Sequence, residues 1–163
     1  MRPRHASMKP KSVAFSHDGR FAVIAMALNV TPAPGTAASD GLLSVHRFDA
    51  ARGVIGDALA EMHGADTALV TMELCTFLPS SSGTPYRILA ANQGADMVTA
   101  FTFDPGARTL ALTGIFAGGL SFPHGVDACA DGRFVAVTTY GDDSVHIARV
   151  TPGLGGASGR PTP

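Results

Sequence analysis

Three side chains in this sequence carry the chemistry of a small active site: Lys11, Glu73 and His124. They are an ammonium, a carboxylate and an imidazole. A cation, a carboxylate and an imidazole on one rim could supply a general base. The three lie far apart in the chain, so only a repeating fold could gather them. Each stands two residues before a strand position: Lys11 before Val13, Glu73 before Cys75, His124 before Val126. A second set, Asn92, Gln93, Tyr140, Asp142 and Asp143, lies in the turns between expected strand pairs and supplies ligand-binding candidates. Together they could bind a polar or phosphorylated small molecule, or supply a base that opens a lactone. The plainer alternative is a rim of solvated residues, with Asp142-Asp143 serving turn geometry rather than a cation.

Little else offers chemistry. There is no Gly-rich phosphate loop, nucleophile elbow or His-Glu-x-x-His motif. Asp18 and Asp131 each precede Gly in a hairpin turn and read as structural. His46 and His146 read as equivalent third-strand positions of different repeats, too far apart to share a metal. Cys75 and Cys129 read as two small buried hydrophobes, because no ligand spacing surrounds them. No metal and no cofactor is expected.

The elements that must position these residues are strands. The stretch Pro123 to Val150, PHGVDACADGRFVAVTTYGDDSVHIARV, contains three short β-rich runs parted by an Asp-Gly turn and a Gly-Asp-Asp turn. The same meander occurs twice more. Pro10 to Ile24, PKSVAFSHDGRFAVI, lies on Pro123 to Val137 at an offset of 113 and matches at Pro10, Val13, Asp18, Gly19, Arg20 and Phe21. Ser44-Val45-His46 is laid on Ser144-Val145-His146. A worn middle copy sets Asn92 to Val98 on Thr139 to Val145 at an offset of 47, with Cys75-Thr76-Phe77 as its inner strand. A repeat of ~50 residues built of short strands is the signature of a propeller or related array. The register places Lys11, Glu73 and His124 at adjacent stations on one rim, Glu73 in the middle.

Composition agrees. Hydrophobic residues make up 45% and charged ones 15%, which suits a folded β protein and excludes disorder over most of the length. A net charge of −1 gives no field for nucleic acid or an acidic membrane. The start, MRPRHASMKP, lacks the apolar core of a secretory signal, so a cytoplasmic location is expected. Residues 29–41, rich in Pro, Gly, Ala, Ser and Thr, read as a mobile loop inserted on the rim face. Val54 to Met62 reads as an outer strand, although its Ala-Leu-Ala-Glu-Met could pass for helix. The expected organisation is an extension over 1–9, blades at about 10–65, 66–118 and 119–150, and a disordered tail over 151–163.

The segments KPKSVAFSHDGRFAVI and PHGV…ADGRFVAV…YGDDSV resemble blades of the lactonase-type seven-bladed β-propellers. That family includes 6-phosphogluconolactonase-like proteins and the Tyr-Val-Thr-Asn repeat proteins. The resemblance spans residues 10 to 150, about three blades. It implies an all-β fold: three consecutive four-stranded antiparallel blades in an open arc, the last one incomplete. It carries no catalytic residue across, because the matching positions are turn and strand residues that propellers of many functions share. Propellers close with about four to eight blades. Three would leave apolar faces open, so the chain is either a piece of a longer protein or associates with itself through them. Two functions stay open. One is a lactonase-like hydrolase acting on a sugar lactone at the channel mouth. The other is a non-catalytic propeller that binds a protein partner or small ligand, or a truncated piece inert alone.

Overall fold

The structure, a computed structural model, describes residues 8–28, 41–64, 72–79 and 85–150. Among them there is no α-helix, and the strands form three antiparallel sheets. The first holds β1 (Met8–Phe15), β2 (Phe21–Leu28), β3 (Gly41–Asp49) and β4 (Val54–His63). The second holds β5 (Met72–Leu78), β6 (Tyr86–Asn92), β7 (Met97–Asp104) and β8 (Thr109–Gly118). The third holds β9 (Pro123–Ala128), β10 (Phe134–Thr139) and β11 (Ser144–Arg149). Strand order follows chain order in every sheet, so each sheet is a propeller blade. The arc is therefore four, four and three strands. Residues 29–40 of the insertion, most of the turn after β5 and the tail from Thr151 lie outside the described residues, as do residues 1–7 of the extension.

The inner hairpins form because their turns are chemically specified. In the first blade Ser16 Oγ donates to Asp18 Oδ1 and accepts the Phe21 N–H, while Gly19 turns the chain at φ 67°. In the third blade Cys129 takes the place of Ser16. Its Sγ donates to Asp131 and accepts the Phe134 N–H, and Gly132 turns at φ 68°. This corrects the expectation of two buried thiols. Cys75 is buried and Cys129 is exposed, because it serves a surface turn rather than a strand.

Period-two alternation then sorts side chains to the two faces of each blade. Phe21, Val23, Ala25, Leu43 and Val45 of the first blade pack against Cys75, Phe77, Tyr86, Ile88, Phe101 and Phe103 of the second. The rings meet edge to face, Phe21 with Tyr86 at 5.0 Å and with Phe103 at 5.2 Å. The seam between the second and third blades holds Leu89, Ala91, Val98, Phe116, Val126, Val135 and Val137. The opposite face of the third blade has no neighbour among the described residues. Its Val145 and Ile147 are 61% and 55% exposed, where Leu43 and Val45 of the first blade are fully buried.

That equivalence comes from strand pairing and corrects the alignment of the third strands. Val23 faces Val45, and Ala136, its equivalent at offset 113, faces Ile147. His146 therefore corresponds to Ser44, not to His46. The Ser-Val-His match is a coincidence of letters two residues out of register, which keeps side chains on the same face and so hides the slip.

Candidate functional site

Each inner strand begins with an irregularity, and the candidate residues sit in it. Pro10 pairs with Met26 and Ser12 with Ala25, so Lys11 is the extra residue of a β-bulge. Pro123 pairs with Thr139 and Gly125 with Thr138, which makes His124 the extra residue of β9. In β5 Met72 pairs with Asn92 and Cys75 with Ala90, so Glu73 and Leu74 share the place opposite Ala91. A bulge breaks the alternation and re-aims one side chain. Here it turns three of them out of their own sheets and toward one another.

The structure brings Lys11, Glu73 and His124 together with Glu73 in the middle. Lys11 Nζ lies 3.0 Å from Glu73 Oε1, and His124 Nε2 lies 3.8 Å from Glu73 Oε2. The Glu73 side chain is 10% exposed, Lys11 35% and His124 51%. A carboxylate this enclosed needs a partner, and the lysine supplies the close one. The imidazole is the solvent-facing member. Cross-blade bonds hold the register on both sides. The Cys75 N–H donates to Ser12 Oγ at 3.1 Å, and Thr76 Oγ1 donates to Asp127 Oδ1 at 3.1 Å. Burial pushes the Cys75 thiol up to about 11 against the opposing bond to Ser12, so a neutral thiol backs the site.

The second set divides. Tyr140 is 74% exposed, its ring centroid 6.3 Å from that of His124. Asp142 and Asp143 are exposed in the β10–β11 turn. Asp142 accepts from Thr139 Oγ1 and from Ser144 Oγ, and Asp143 takes φ 54°. Both thus take part in building the turn. Asn92 is fully buried at the end of β6, and Gln93 is 8% exposed in the short 3-10 turn that follows. Among the described residues no group of three His, Cys, Asp or Glu could hold a metal ion.

Two features escape sequence reasoning. Phe122 adopts φ 57° and is 42% exposed, its ring beside that of Tyr140, and no residue pattern announces a strained phenylalanine. Asp18 accepts the Tyr86 hydroxyl at 2.6 Å across the first seam, on the far side of the blades from Glu73. Among the described residues its equivalent Asp131 has partners in its own turn, Cys129 and Arg133, which hold its carboxyl far below the usual range.

The arrangement can do general-base chemistry. His124 Nε2 and Glu73 Oε2, 3.8 Å apart, stand at ion-pair rather than hydrogen-bond distance, so the imidazole is beside the carboxylate and open to solvent on its other side. The lysine, 3.0 Å away, holds the carboxylate in place.

No protein-family model matches this sequence, and no curated protein does. Solved structures do. The chain is similar to a putative 6-phosphogluconolactonase from Bacteroides fragilis, with TM-score 0.67 and 19% identity over 91% of this chain and 37% of that one. It is similar to a periplasmic gluconolactonase of Pseudomonas aeruginosa, with TM-score 0.63 and 17% identity over 88% and 40%. It also resembles the Cps50 (Swd1) β-propeller domain of Myceliophteria thermophila, with TM-score 0.53 and 16% identity over 91% and 42%. The chain thus spans about two fifths of the length of these neighbours. At such identities the likeness establishes the fold, an arc of β-propeller blades of the kind found in lactonase-like and other propellers.

Proposed function

We propose that the Lys11–Glu73–His124 cluster hydrolyses a sugar lactone. One observation carries the reading: a single buried carboxylate spans a lysine of one blade and a solvent-facing histidine of another. Glu73 orients His124. His124 takes a proton from water as the oxygen attacks the lactone carbonyl. The ring C–O bond then breaks, the leaving oxygen takes the proton back from the imidazolium, and the product is the open hydroxy acid. Lys11 holds Glu73 in position. The fold likeness to lactonase-like propellers makes a lactone the first substrate to try, and no more. A panel of sugar lactones, neutral and phosphorylated, tests it. The chain is expected to accelerate at least one above the spontaneous rate, and His124→Ala to lose about 100-fold or more. Spontaneous rates throughout would end the proposal.

A second reading, a non-catalytic propeller that binds a partner, has its own support. Phe134, Val145 and Ile147 stand exposed together on the open face of the third blade. A second copy of the chain is the simplest cover for such a face, and a mass measurement in solution distinguishes monomer from dimer.

A further inference from the structure

The segment that leads into His124 is built with unusual care for a surface linker. Phe122 holds φ 57°, where a bulky side chain is strained and glycine would be free. Two blades clamp it there. From the second blade, Asp96 Oδ1 accepts the Phe122 N–H at 3.1 Å and the Asp96 carbonyl accepts the Leu120 N–H at 3.0 Å. From the third, the Tyr140 N–H donates to the Phe122 carbonyl at 3.0 Å and the Gly141 N–H to the Ser121 carbonyl at 3.1 Å. Gly141 allows the approach, because a Cβ there would collide with Ser121.

Backbone strain that the surroundings hold in place clusters at functional sites and ligand clamps. Phe122 is 42% exposed, and the neighbouring Tyr140 is 74% exposed. Phe122 and Tyr140 lie 6.2 Å apart and tilted by 49°, Tyr140 and His124 6.3 Å apart and tilted by 41°. Tyr140 thus lies within ring-contact distance of both Phe122 and His124, and His124 in turn lies 3.8 Å from Glu73. The Tyr140 hydroxyl makes no hydrogen bond among the described residues.

We infer that Phe122, Tyr140 and His124 form a shelf that receives the less polar face of a sugar ring. The inference deepens the lactone reading and rests on it for the ligand class. A pyranose presents C–H groups on one face and hydroxyls at its edge. The negative face of an aromatic ring accepts the C–H groups, and rigid aromatics give contact area at small entropic cost. The Tyr140 hydroxyl and the His124 ring nitrogens would supply hydrogen bonds to ring hydroxyls. A ring so held would stand against the imidazole that Glu73 orients.

Ligand-observed saturation-transfer NMR with methyl β-D-glucopyranoside tests this, since that probe has the ring and no lactone. Open-chain glucitol is the control. The pyranoside is expected to take up saturation in a concentration-dependent way and glucitol not. Phe122→Gly keeps the backbone its native φ and removes the ring, and Tyr140→Ala removes the second ring. Each should retain the melting temperature and weaken pyranoside binding by about 5- to 10-fold. Glu73→Gln should retain pyranoside binding. A shelf that binds in a chain without hydrolysis would remove the activity and leave the shelf. Equal responses to pyranoside and glucitol, no response, or unchanged binding in both ring variants would overturn it.

Discussion

The Tyr86 hydroxyl donates a 2.6 Å hydrogen bond to Asp18 Oδ2, joining β6 of the second blade to the β1–β2 turn of the first. Burial works against the Asp18 charge, but bonds from Ser16, Tyr86 and the Arg20 N–H, with the Arg20 charge, outweigh it and lower its pKa. Burial, and then Asp18, raise that of Tyr86. A lowered carboxylate stabilises the fold above its unfolded value of 3.8 and loses that as pH falls through the lowered one. A raised phenol stabilises below 10.0 and loses that as pH rises through the raised value. Tyr86→Phe should cost about 1 kcal/mol near pH 7, below the usual range for a bond to a charge because Asp18 is open to solvent. Urea titrations at acid, neutral and alkaline pH check this. The variant's deficit should shrink at both extremes, and a constant deficit would contradict the account.

The two thiols should differ sharply. Cys75 is buried, with its pKa pushed up to about 11, and Cys129 is exposed. A thiol-reactive dye on the native protein is expected to titrate one cysteine quickly and the second only with denaturant. Cys129→Ser should be neutral within about 0.5 kcal/mol, since Ser16 already fills the same turn in the first blade. Two fast thiols would mean that the first seam opens readily.

Gly141→Ala should destabilise by about 1–3 kcal/mol, because the added methyl meets the Ser121 side chain and carbonyl. The β10–β11 turn would lift from Phe122. A melting curve identical to that of the parent would show that the two segments are not pressed together.

Much of this was legible in the residues. Asp-Gly-Arg-Phe marked the hairpins, since Gly after Asp takes the positive φ of the turn without steric cost. A constant offset of 113 carried the register from Lys11 to His124. The middle copy had lost its turn, yet Asn92 on Thr139 proved right because strand pairing is set by the hydrophobic alternation on both faces. What was hidden has physical reasons. A bulge adds one residue without a composition of its own, so the re-aiming of Lys11 and His124 could be located but not seen. The His46 error survived because a two-residue slip preserves the face. Cys129 looked like a core residue because cysteine is usually buried, and its hairpin role appears only beside Ser16. The strain at Phe122 arises from contacts with Asp96 and Tyr140, distant in sequence, and has no local signal.

The central claim is that Glu73 and His124 work as one unit. Initial rates of lactone hydrolysis by the parent chain, Glu73→Gln, His124→Ala and the double variant test it most directly. Residues that act together lose activity together, so each single change should cost about 100-fold or more and the double little beyond the worse single. Independent losses that multiply in the double variant, or full activity in either single one, would contradict it.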